Sequence, residues 1–152
     1  MSTLSVIVPV YNEEKLVIES LKRLDKVDII NKVIVVDDCS TDNSYKLVTD
    51  FIINKNKYTL IKTSQNVGKG KAVAAAQSII KTDYVTIHDA DLEYFPEDLA
   101  QMYKKVENNC LILGSRFIGD YERSNLYKRT LFANYFLSRL FSILYKTKIT
   151  DI

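Results

Sequence analysis

Two aspartates separated by one residue, Asp89 and Asp91, come directly after an apolar run, and Glu93 follows two residues later. Carboxylate oxygens at alternate positions are hard ligands that suit Mg²⁺ or Mn²⁺, above all when the metal is shared with a diphosphate. Two aspartates at this spacing are also common without a metal, with Asp91 capping the next segment and Asp89 facing solvent. The pattern therefore predicts a metal site only if other functional groups reach the same place.

A second pair of acids, Asp37 and Asp38, closes another apolar run. A carboxylate at such a position can accept hydrogen bonds from ribose hydroxyls or from the edge of a base, as acids do in dinucleotide-binding folds. The residues that follow, "CSTD", can also cap a helix, and the two roles are compatible.

The stretch "NVGKGKA" (66–72) is a candidate for phosphate contact. Its glycines allow close approach of the backbone, and Lys69 or Lys71 could face a phosphate. Its spacing matches neither the phosphate loop of nucleoside triphosphatases nor the dinucleotide fingerprint. Solvated surface lysines are an equally good interpretation.

These polar groups need elements that carry them to one place, and the apolar pattern predicts such elements. Runs rich in Val and Ile predict strands at 4–10, 32–37, 58–63, 84–89 and 110–114. Most are apolar throughout, as in strands buried on both faces of a parallel sheet. Helix-like stretches lie between them, at 13–25, 42–53, 70–80 and 96–106. The alternation predicts an α/β fold with a mostly parallel sheet and helices on both faces.

A polar cluster follows each predicted strand, so the clusters are expected together at the carboxyl edge of the sheet, where ligands bind in such folds. The last cluster, "GSRF", contains Arg116, whose guanidinium suits bidentate phosphate contact. His88 is the one histidine, and alternation turns it into the sheet face. No Ser/His/Asp or Cys/His nucleophile can therefore be assembled.

The bulk composition excludes several classes of protein. A length of 152 residues fits one domain, and a net charge of +2 from 21 basic and 19 acidic residues argues against nucleic acid as a partner. Cys39 and Cys110 lie far apart without ligand-spaced neighbours, which indicates neither a disulfide framework nor a zinc site. The N-terminus lacks signal-peptide features and no apolar stretch reaches membrane-spanning length, so a cytoplasmic protein is expected.

Five ordered motifs together resemble a known family. They are "SVIVPVYNEE", "VIVVDDCSTDNS", "NVGKGKAVAAA", "DYVTIHDADLEYFPEDL" and "LILGSRF". The chain resembles the family 2 glycosyltransferases of the GT-A fold, in the branch similar to dolichyl-phosphate mannose synthases and bacterial polyprenyl-phosphate sugar transferases. The resemblance implies inverting transfer of a sugar from a UDP or GDP donor to a polyprenyl phosphate, with Mg²⁺ or Mn²⁺. It also implies a nucleotide-sugar-binding core over 1–120.

The resemblance implies roles for individual positions. The nucleoside would be held by Pro9, Tyr11, Glu13, Val36 and Asp38, and the ribose, diphosphate and metal by Asp89, Ala90 and Asp91. Arg116 and Arg129 would contact phosphate groups of donor or acceptor and complete the catalytic set with Asp91. Glu93 stands where this branch often carries Gln, and it could join Asp89 and Asp91 as a metal ligand or change the donor preference.

Other functions stay open at this point. A lipid monophosphate is already an anionic nucleophile, whereas a glycan hydroxyl would need a base, for which Asp91 and Glu93 are the nearest candidates. A nucleotidyltransferase also combines an α/β sheet with nucleotide and metal, but the chain lacks a Gly- and Arg-rich N-terminal loop. A non-catalytic nucleotide-binding domain is the third alternative, and the intact Asp89 and Asp91 argue against it.

Residues 121–152 predict a basic, amphipathic helical segment. Thr130, Asn134, Ser138 and Ser142 recur every four residues and leave a narrow polar stripe on an otherwise apolar helix. Such a helix must pack on the domain itself, a second protomer, further C-terminal sequence or a membrane surface, to which basic amphipathic helices bind. The abrupt end at "KITDI" is typical of a truncated chain, and the resemblance favours the cytoplasmic face of a membrane.

Overall fold

The described residues form a sheet of four strands, in a computed structural model that covers residues 2–107, 110–114, 128–147 and 149. The strands are β1 (Leu4–Val10), β2 (Lys32–Asp37), β3 (Tyr58–Lys62) and β4 (Tyr84–Ile87). Their order is β3-β2-β1-β4, and every pair is parallel. The strand order reverses between β1 and β4, which is the place where open α/β sheets bind ligands.

The strand registers bring the residues that follow the strands to one level. Val10 of β1 lies opposite Asp37 of β2, and Ile7 of β1 lies opposite Ile87 of β4. The loop after β1, the acids after β2 and the acids after β4 therefore leave the sheet at the same edge. This is the arrangement that the polar clusters of the sequence predict.

Helices cover both faces of the sheet, as the sequence predicts. They are α1 (Val17–Asp25), α2 (Ser44–Ile52), α3 (Lys69–Ala75) and α4 (Asp98–Tyr103), with a short 3₁₀ turn at Gln77–Ile79 between α3 and β4. In α1, Val17, Leu21 and Leu24 recur at helical spacing and are fully buried against one face of the sheet. Each such side chain contributes about 1.5–3 kcal/mol by its burial.

The other face of the sheet is covered by α3 through small residues. Ala72 and Ala76 are fully buried against Ile7, Ile34 and Val36. Because alanine has only a methyl group, the helix backbone approaches the strands closely. This contact places the start of α3 beside the ends of β1 and β2.

One predicted strand is not formed. Residues 110–114 have no regular secondary structure, and Leu111 and Leu113 are 83% and 55% exposed. A short apolar run can be a buried strand only where a neighbouring strand accepts its hydrogen bonds, and the run itself does not specify that neighbour. The fifth strand of the sequence analysis is therefore wrong.

The chain divides into two compact units, residues 1–103 and 104–152. The boundary that the sequence predicts at residue 120 lies outside the described residues and stays a prediction. In the second unit, helix α5 (Lys128–Tyr145) forms inside the predicted helical segment. None of the helices in the described part of the chain is long and apolar enough to span a bilayer.

Helix α5 buries two residues of its polar stripe and exposes apolar side chains. Asn134 and Ser138 are 7% and 3% exposed, and the Ser138 hydroxyl donates to Asn134 Oδ1 at 3.0 Å. The exposed residues are Tyr135, Phe136, Leu137, Leu140, Ile143, Leu144 and Tyr145, at 43–69% exposure. That this segment is an amphipathic helix that packs on the domain, a second protomer, further sequence or a membrane surface stays a prediction.

Candidate active site

A cavity of about 250 Å³ opens at the carboxyl edge of the sheet, where the order of the strands reverses. Its walls come from the loops after β1, β2 and β4 and from the start of α3. The lining residues are Pro9, Val10, Tyr11, Glu13, Asp38, Lys69, Ala72, Asp89, Ala90 and Asp91. Seven of the site residues that the resemblance assigns thus share one cavity.

The first wall is the loop after β1, which the loop after β2 holds in place. Asn12 adopts a left-handed backbone, with φ of 55°. Its N–H donates to Ser40 Oγ at 3.0 Å, and its side-chain Oδ1 accepts from the Thr41 N–H at 2.8 Å. Asparagine tolerates this backbone better than most residues do. Its side-chain oxygen here takes the place of a backbone carbonyl as a hydrogen-bond acceptor. Tyr11, next to it, is 46% exposed and faces the cavity.

The next two residues of the loop after β1 are also joined to the loop after β2, through their backbone N–H groups. The Glu13 N–H donates to Ser44 Oγ at 2.8 Å, and the Glu14 N–H donates to Asp42 Oδ2 at 3.1 Å. Asp42 also caps α2 through the Ser44 N–H at 2.9 Å. Burial opposes ionisation of Asp42, but the hydrogen bonds from Ser44 and Glu14 outweigh it and lower the pKa of this carboxyl.

The carboxylate of Glu13 lies in a field of negative charge. Burial raises its pKa, and the charges of Asp91, Asp42 and Asp89 raise it further. Carboxylates crowded in this way repel one another, so a cation at the cavity would relieve the repulsion. This electrostatic arrangement suits a divalent metal.

Asp38 lies at the back of the cavity and is 3% exposed. Its Oδ1 accepts from the Val67 N–H at 2.9 Å and from the Thr63 hydroxyl at 3.0 Å, and its Oδ2 accepts from the Gly68 N–H at 2.8 Å. Burial opposes ionisation, but these donors lower the pKa of the carboxyl. Both oxygens are thus engaged by the chain's own loop, which leaves one free acceptor direction on Oδ2 for a ligand.

The acids after β4 form the wall opposite Tyr11. Asp89 Oδ2 lies 2.7 Å from Lys69 Nζ, and both side chains line the cavity. Asp91 Oδ1 accepts from the Glu93 N–H at 3.1 Å, in a turn that includes the left-handed Leu92. The Glu93 side chain is exposed and does not line the cavity.

The metal-ligand set is incomplete in the protein alone. Within the part of the chain that the structure describes, no three or more His, Cys, Asp or Glu side chains converge on a common point. Asp89 and Asp91 line the cavity and supply hard oxygen ligands, which fits Mg²⁺ or Mn²⁺ when further oxygens come from a bound diphosphate. A metal shared with a ligand is thus compatible with these residues.

His88 takes no part in the cavity, as the sequence predicts. The residue is 4% exposed, and its ring meets the Tyr94 ring edge-on at 6.3 Å between centroids. Neither ring nitrogen has a hydrogen-bond partner among the described residues. Burial lowers the pKa of the imidazole and thus favours its neutral form.

Three further residues assigned from the resemblance are not confirmed as lining residues. Val36 is fully buried behind the cavity, on the face of β2 that α3 covers. Arg116 lies outside the described residues. Arg129 lies in the first turn of α5, and its side chain is not among those described. Their roles stay predictions.

Val10, Lys69 and Ala72 are the lining residues that the site assignment from the sequence missed. Lys69 was a candidate only as one of two lysines near a phosphate. The signal that distinguishes it from Lys71 is its place as the first residue of α3, directly after the left-handed Gly68. Ala72 lines the cavity because its methyl group lets α3 lie against β1.

Comparison with known proteins gives the same fold and the same kind of protein. The family model for glycosyl transferase family 2 matches residues 5–151. An uncharacterised protein of Methanocaldococcus jannaschii is 34% identical over 90% of this chain. The undecaprenyl-phosphate 4-deoxy-4-formamido-L-arabinose transferase of Proteus mirabilis is 31% identical over 76% of the chain. The chain spans 60% and 37% of the lengths of these two relatives.

A solved structure shares the fold. The mannosyltransferase PcManGT of Pyrobaculum calidifontis, in complex with GDP-Man and Mn²⁺, superposes with a TM-score of 0.62 at 31% identity. The superposition covers 68% of this chain and 32% of that one. The fold is that of the GT-A glycosyltransferases, as the sequence predicts. Because the family model matches nearly the whole length of this chain, the chain belongs to glycosyl transferase family 2.

Proposed function

We propose that this chain carries the donor-binding site of an inverting glycosyltransferase that transfers a sugar from a UDP or GDP donor to a polyprenyl phosphate. The observation that carries the proposal is the single cavity that combines Tyr11 and Asp38 with Asp89 and Asp91. An aromatic ring and an acid on one wall suit a nucleoside, and two carboxylates on the other suit a diphosphate-bound metal.

The relatives support this choice of substrates. The Proteus mirabilis relative is a transferase that acts on undecaprenyl phosphate, and the Pyrobaculum calidifontis enzyme was solved with GDP-Man and Mn²⁺. The same classes of donor, acceptor and metal are the proposal for this chain. The nature of the sugar and the choice between UDP and GDP are left to experiment.

Each residue has a role in the proposed reaction. Pro9, Tyr11, Glu13 and Asp38 bind the nucleoside, with Val36 supporting them from the core. Asp89 and Asp91 would hold Mg²⁺ or Mn²⁺ together with the donor's diphosphate, and the metal would supply Lewis-acid stabilisation of the leaving group. Arg116 and Arg129 neutralise phosphate charge, and Ala90 keeps the wall between the acids narrow.

The acceptor explains why no general base is needed. A lipid monophosphate carries its own negative charge at neutral pH and attacks the anomeric carbon directly, while the nucleoside diphosphate leaves. His88 is buried and turned away, so it takes no proton from the acceptor. The absence of a Ser/His/Asp or Cys/His arrangement in the sequence fits this chemistry.

We also propose that α5 contacts the membrane surface where a polyprenyl phosphate resides. The helix exposes seven large apolar side chains, including the aromatic residues Tyr135, Phe136 and Tyr145. Residues 128–149 contain five basic residues and no acidic one. Exposed aromatic and aliphatic groups beside basic ones bind anionic lipid headgroups.

The experiment that tests the donor site is calorimetric titration with UDP and with GDP, each with and without Mn²⁺. Metal-dependent binding of one nucleotide supports the proposed donor site and identifies its nucleotide. Product analysis then separates the acceptors, because a glycosyl lipid supports the polyprenyl phosphate and a glycosylated glycan supports a hydroxyl acceptor. Release of pyrophosphate would instead indicate a nucleotidyltransferase.

A further inference from the structure

The one cation that lines the cavity in the described part of the chain is the ammonium of Lys69. Its Nζ lies 2.7 Å from Asp89 Oδ2, close enough for a charge-assisted hydrogen bond. The side chain of Lys69 is 59% exposed, whereas that of Asp89 is 22% exposed. The ion pair therefore sits at the mouth of the cavity, with the acid on the inner side.

Lys69 is delivered to this place by a fixed backbone. Asp38 accepts from the Gly68 N–H at 2.8 Å, and Gly68 has φ of 83°, which only glycine adopts readily. Lys69 is the next residue and begins α3, and Ala72 of this helix and Ala76 directly after it are buried against the sheet. Both ends of the segment that carries the ammonium are thus anchored, while the Lys69 side chain is 59% exposed.

The Lys69 ammonium lies where a positive charge would offset the carboxylates of the cavity. Glu13, Asp89 and Asp91 line the same cavity, so their carboxylates repel one another. In the ligand-free protein, Lys69 is the group that balances part of this charge. A divalent metal bound by Asp89 would be repelled by the ammonium, which lies 2.7 Å from the same carboxylate.

We propose that Lys69 is the resident counter-ion of Asp89 and is exchanged for the divalent metal when the nucleotide donor binds. The released ammonium then turns to the diphosphate, which enters the same cavity and carries more negative charge than one carboxylate. Lys69 thereby disfavours metal binding without a nucleotide and favours the metal and nucleotide together. This inference rests on the proposed function, because it takes the donor to be a nucleoside diphosphate sugar.

The alternative is an ordinary surface ion pair. Such pairs contribute little to stability and are screened by salt. A surface pair would change neither metal affinity nor nucleotide affinity when it is removed. The two interpretations therefore differ in what they predict for binding.

The test compares Lys69→Met with Lys71→Met, which removes an exposed lysine two residues away that does not line the cavity. The first measurement is the affinity for Mn²⁺ without a nucleotide, at low ionic strength. Electron paramagnetic resonance detects the Mn²⁺ that remains free. K69M is expected to bind Mn²⁺ about two- to fivefold more tightly than the unaltered chain. K71M is expected to leave the affinity unchanged.

The second measurement is calorimetric titration with the preferred nucleoside diphosphate at saturating Mn²⁺. K69M is expected to lose about three- to tenfold in nucleotide affinity, and Lys69→Arg is expected to recover most of it, because the charge is retained. Urea unfolding of each variant shows whether the fold is kept, which the exposure of Lys69 favours.

The outcomes separate this inference from the proposed function. Unchanged Mn²⁺ affinity in K69M, or a nucleotide affinity that does not fall, overturns the role of Lys69. Absence of metal-dependent nucleotide binding in the unaltered chain overturns the proposed donor site instead. The opposite changes in K69M, with K71M unaffected, support the exchange.

Discussion

The carboxylate of Asp38 lies 2.8 Å from the backbone nitrogen of Gly68 and thereby ties the end of β2 to the beginning of α3. Asp38→Ala removes this acceptor together with those of the Val67 N–H and the Thr63 hydroxyl. Because Gly68 is exposed, water can accept from its N–H and offset part of the lost stability. We expect a decrease of about 1–3 kcal/mol in the free energy of unfolding, measured with urea.

The matched control is Asp50→Ala, on the exposed side of α2. This variant should unfold at the same urea concentration as the unaltered chain, to within about 0.5 kcal/mol. Equal stability of the Asp38 and Asp50 variants would show that the hydrogen bonds to the 63–68 loop contribute nothing to the fold.

Asn12 combines a left-handed backbone with a side chain that accepts from the Thr41 N–H, so two substitutions separate these contributions. Asn12→Gly removes the acceptor but keeps a backbone that suits φ of 55°. Asn12→Ala removes the acceptor and adds a left-handed strain of about 1–2 kcal/mol. Urea unfolding should therefore rank stability as Asn12, then Gly, then Ala, and equal losses in both variants would exclude backbone strain.

Acid should weaken the fold through Asp38 and Asp42. The pKa of each is lower in the folded chain than in the unfolded one, so the unfolded chain binds more protons. Their stabilisation is present above about pH 4, the usual range of an aspartate, and is lost as the pH falls through the folded pKa. Thermal unfolding between pH 6 and pH 2.5 should show a steep decrease of Tm below about pH 4.

A variant that removes one of these groups makes the acid prediction specific. Asp42→Asn keeps the Oδ1 acceptor for the Ser44 N–H but no longer titrates. The slope of unfolding free energy against pH should then fall by up to about 1.4 kcal/mol per pH unit in the acid range. Asp50→Asn should keep the full slope, and an unchanged slope for Asp42→Asn would contradict the assignment.

Asp91→Asn tests the metal side of the cavity with little risk to the fold. The amide oxygen can still accept from the Glu93 N–H, but it is a weaker ligand for Mg²⁺ or Mn²⁺. We expect Mn²⁺-dependent affinity for UDP or GDP to fall about tenfold or more, with the urea midpoint unchanged. Affinity equal to that of the unaltered chain would remove Asp91 from the site.

The exposed apolar side chains of α5 can be tested against lipid. Ile143→Ser combined with Leu144→Ser removes two side chains that are 69% and 68% exposed. Sedimentation with vesicles rich in anionic lipid should show a decrease in partitioning of about tenfold or more. Ile53→Ser, 60% exposed after α2, is the control and should bind vesicles normally. A concentration-dependent dimer that the double variant abolishes, with no vesicle binding, would identify a second copy as the partner.

The sequence predicts the sheet well where a strand is buried on both faces. β1 and β2 are mostly apolar and almost fully buried, and their limits agree with the predicted ones. The run at 110–114 has the same composition, yet it forms no strand, because pairing depends on a neighbour that a local pattern does not contain. Helix α3 is likewise shorter than predicted, ending at Ala75 before a 3₁₀ turn.

The convergence of the acids could be predicted, but their contacts could not. Parallel strands end at one edge, so Asp38, Asp89 and Asp91 had to be near one another. Which donor meets which carboxylate depends on the path of the 63–68 loop and on the left-handed Gly68, and these are set by packing. The Lys69–Asp89 ion pair and the three donors on Asp38 are therefore findings of the structure alone.

The pairing of β1 with β4 has a consequence for how the chain folds. Leu4 pairs with Tyr84, so the two strands can join only after the intervening chain has closed into a loop, which is the slowest kind of contact to form. Tyr11 stands on one side of this junction and Asp89 on the other. β1 can pair with β2 before that closure. The part of the pocket that these two strands carry can then form first. Binding of a nucleotide during refolding should therefore begin only when β4 joins the sheet. The rate at which nucleotide binding appears then measures the rate of that step.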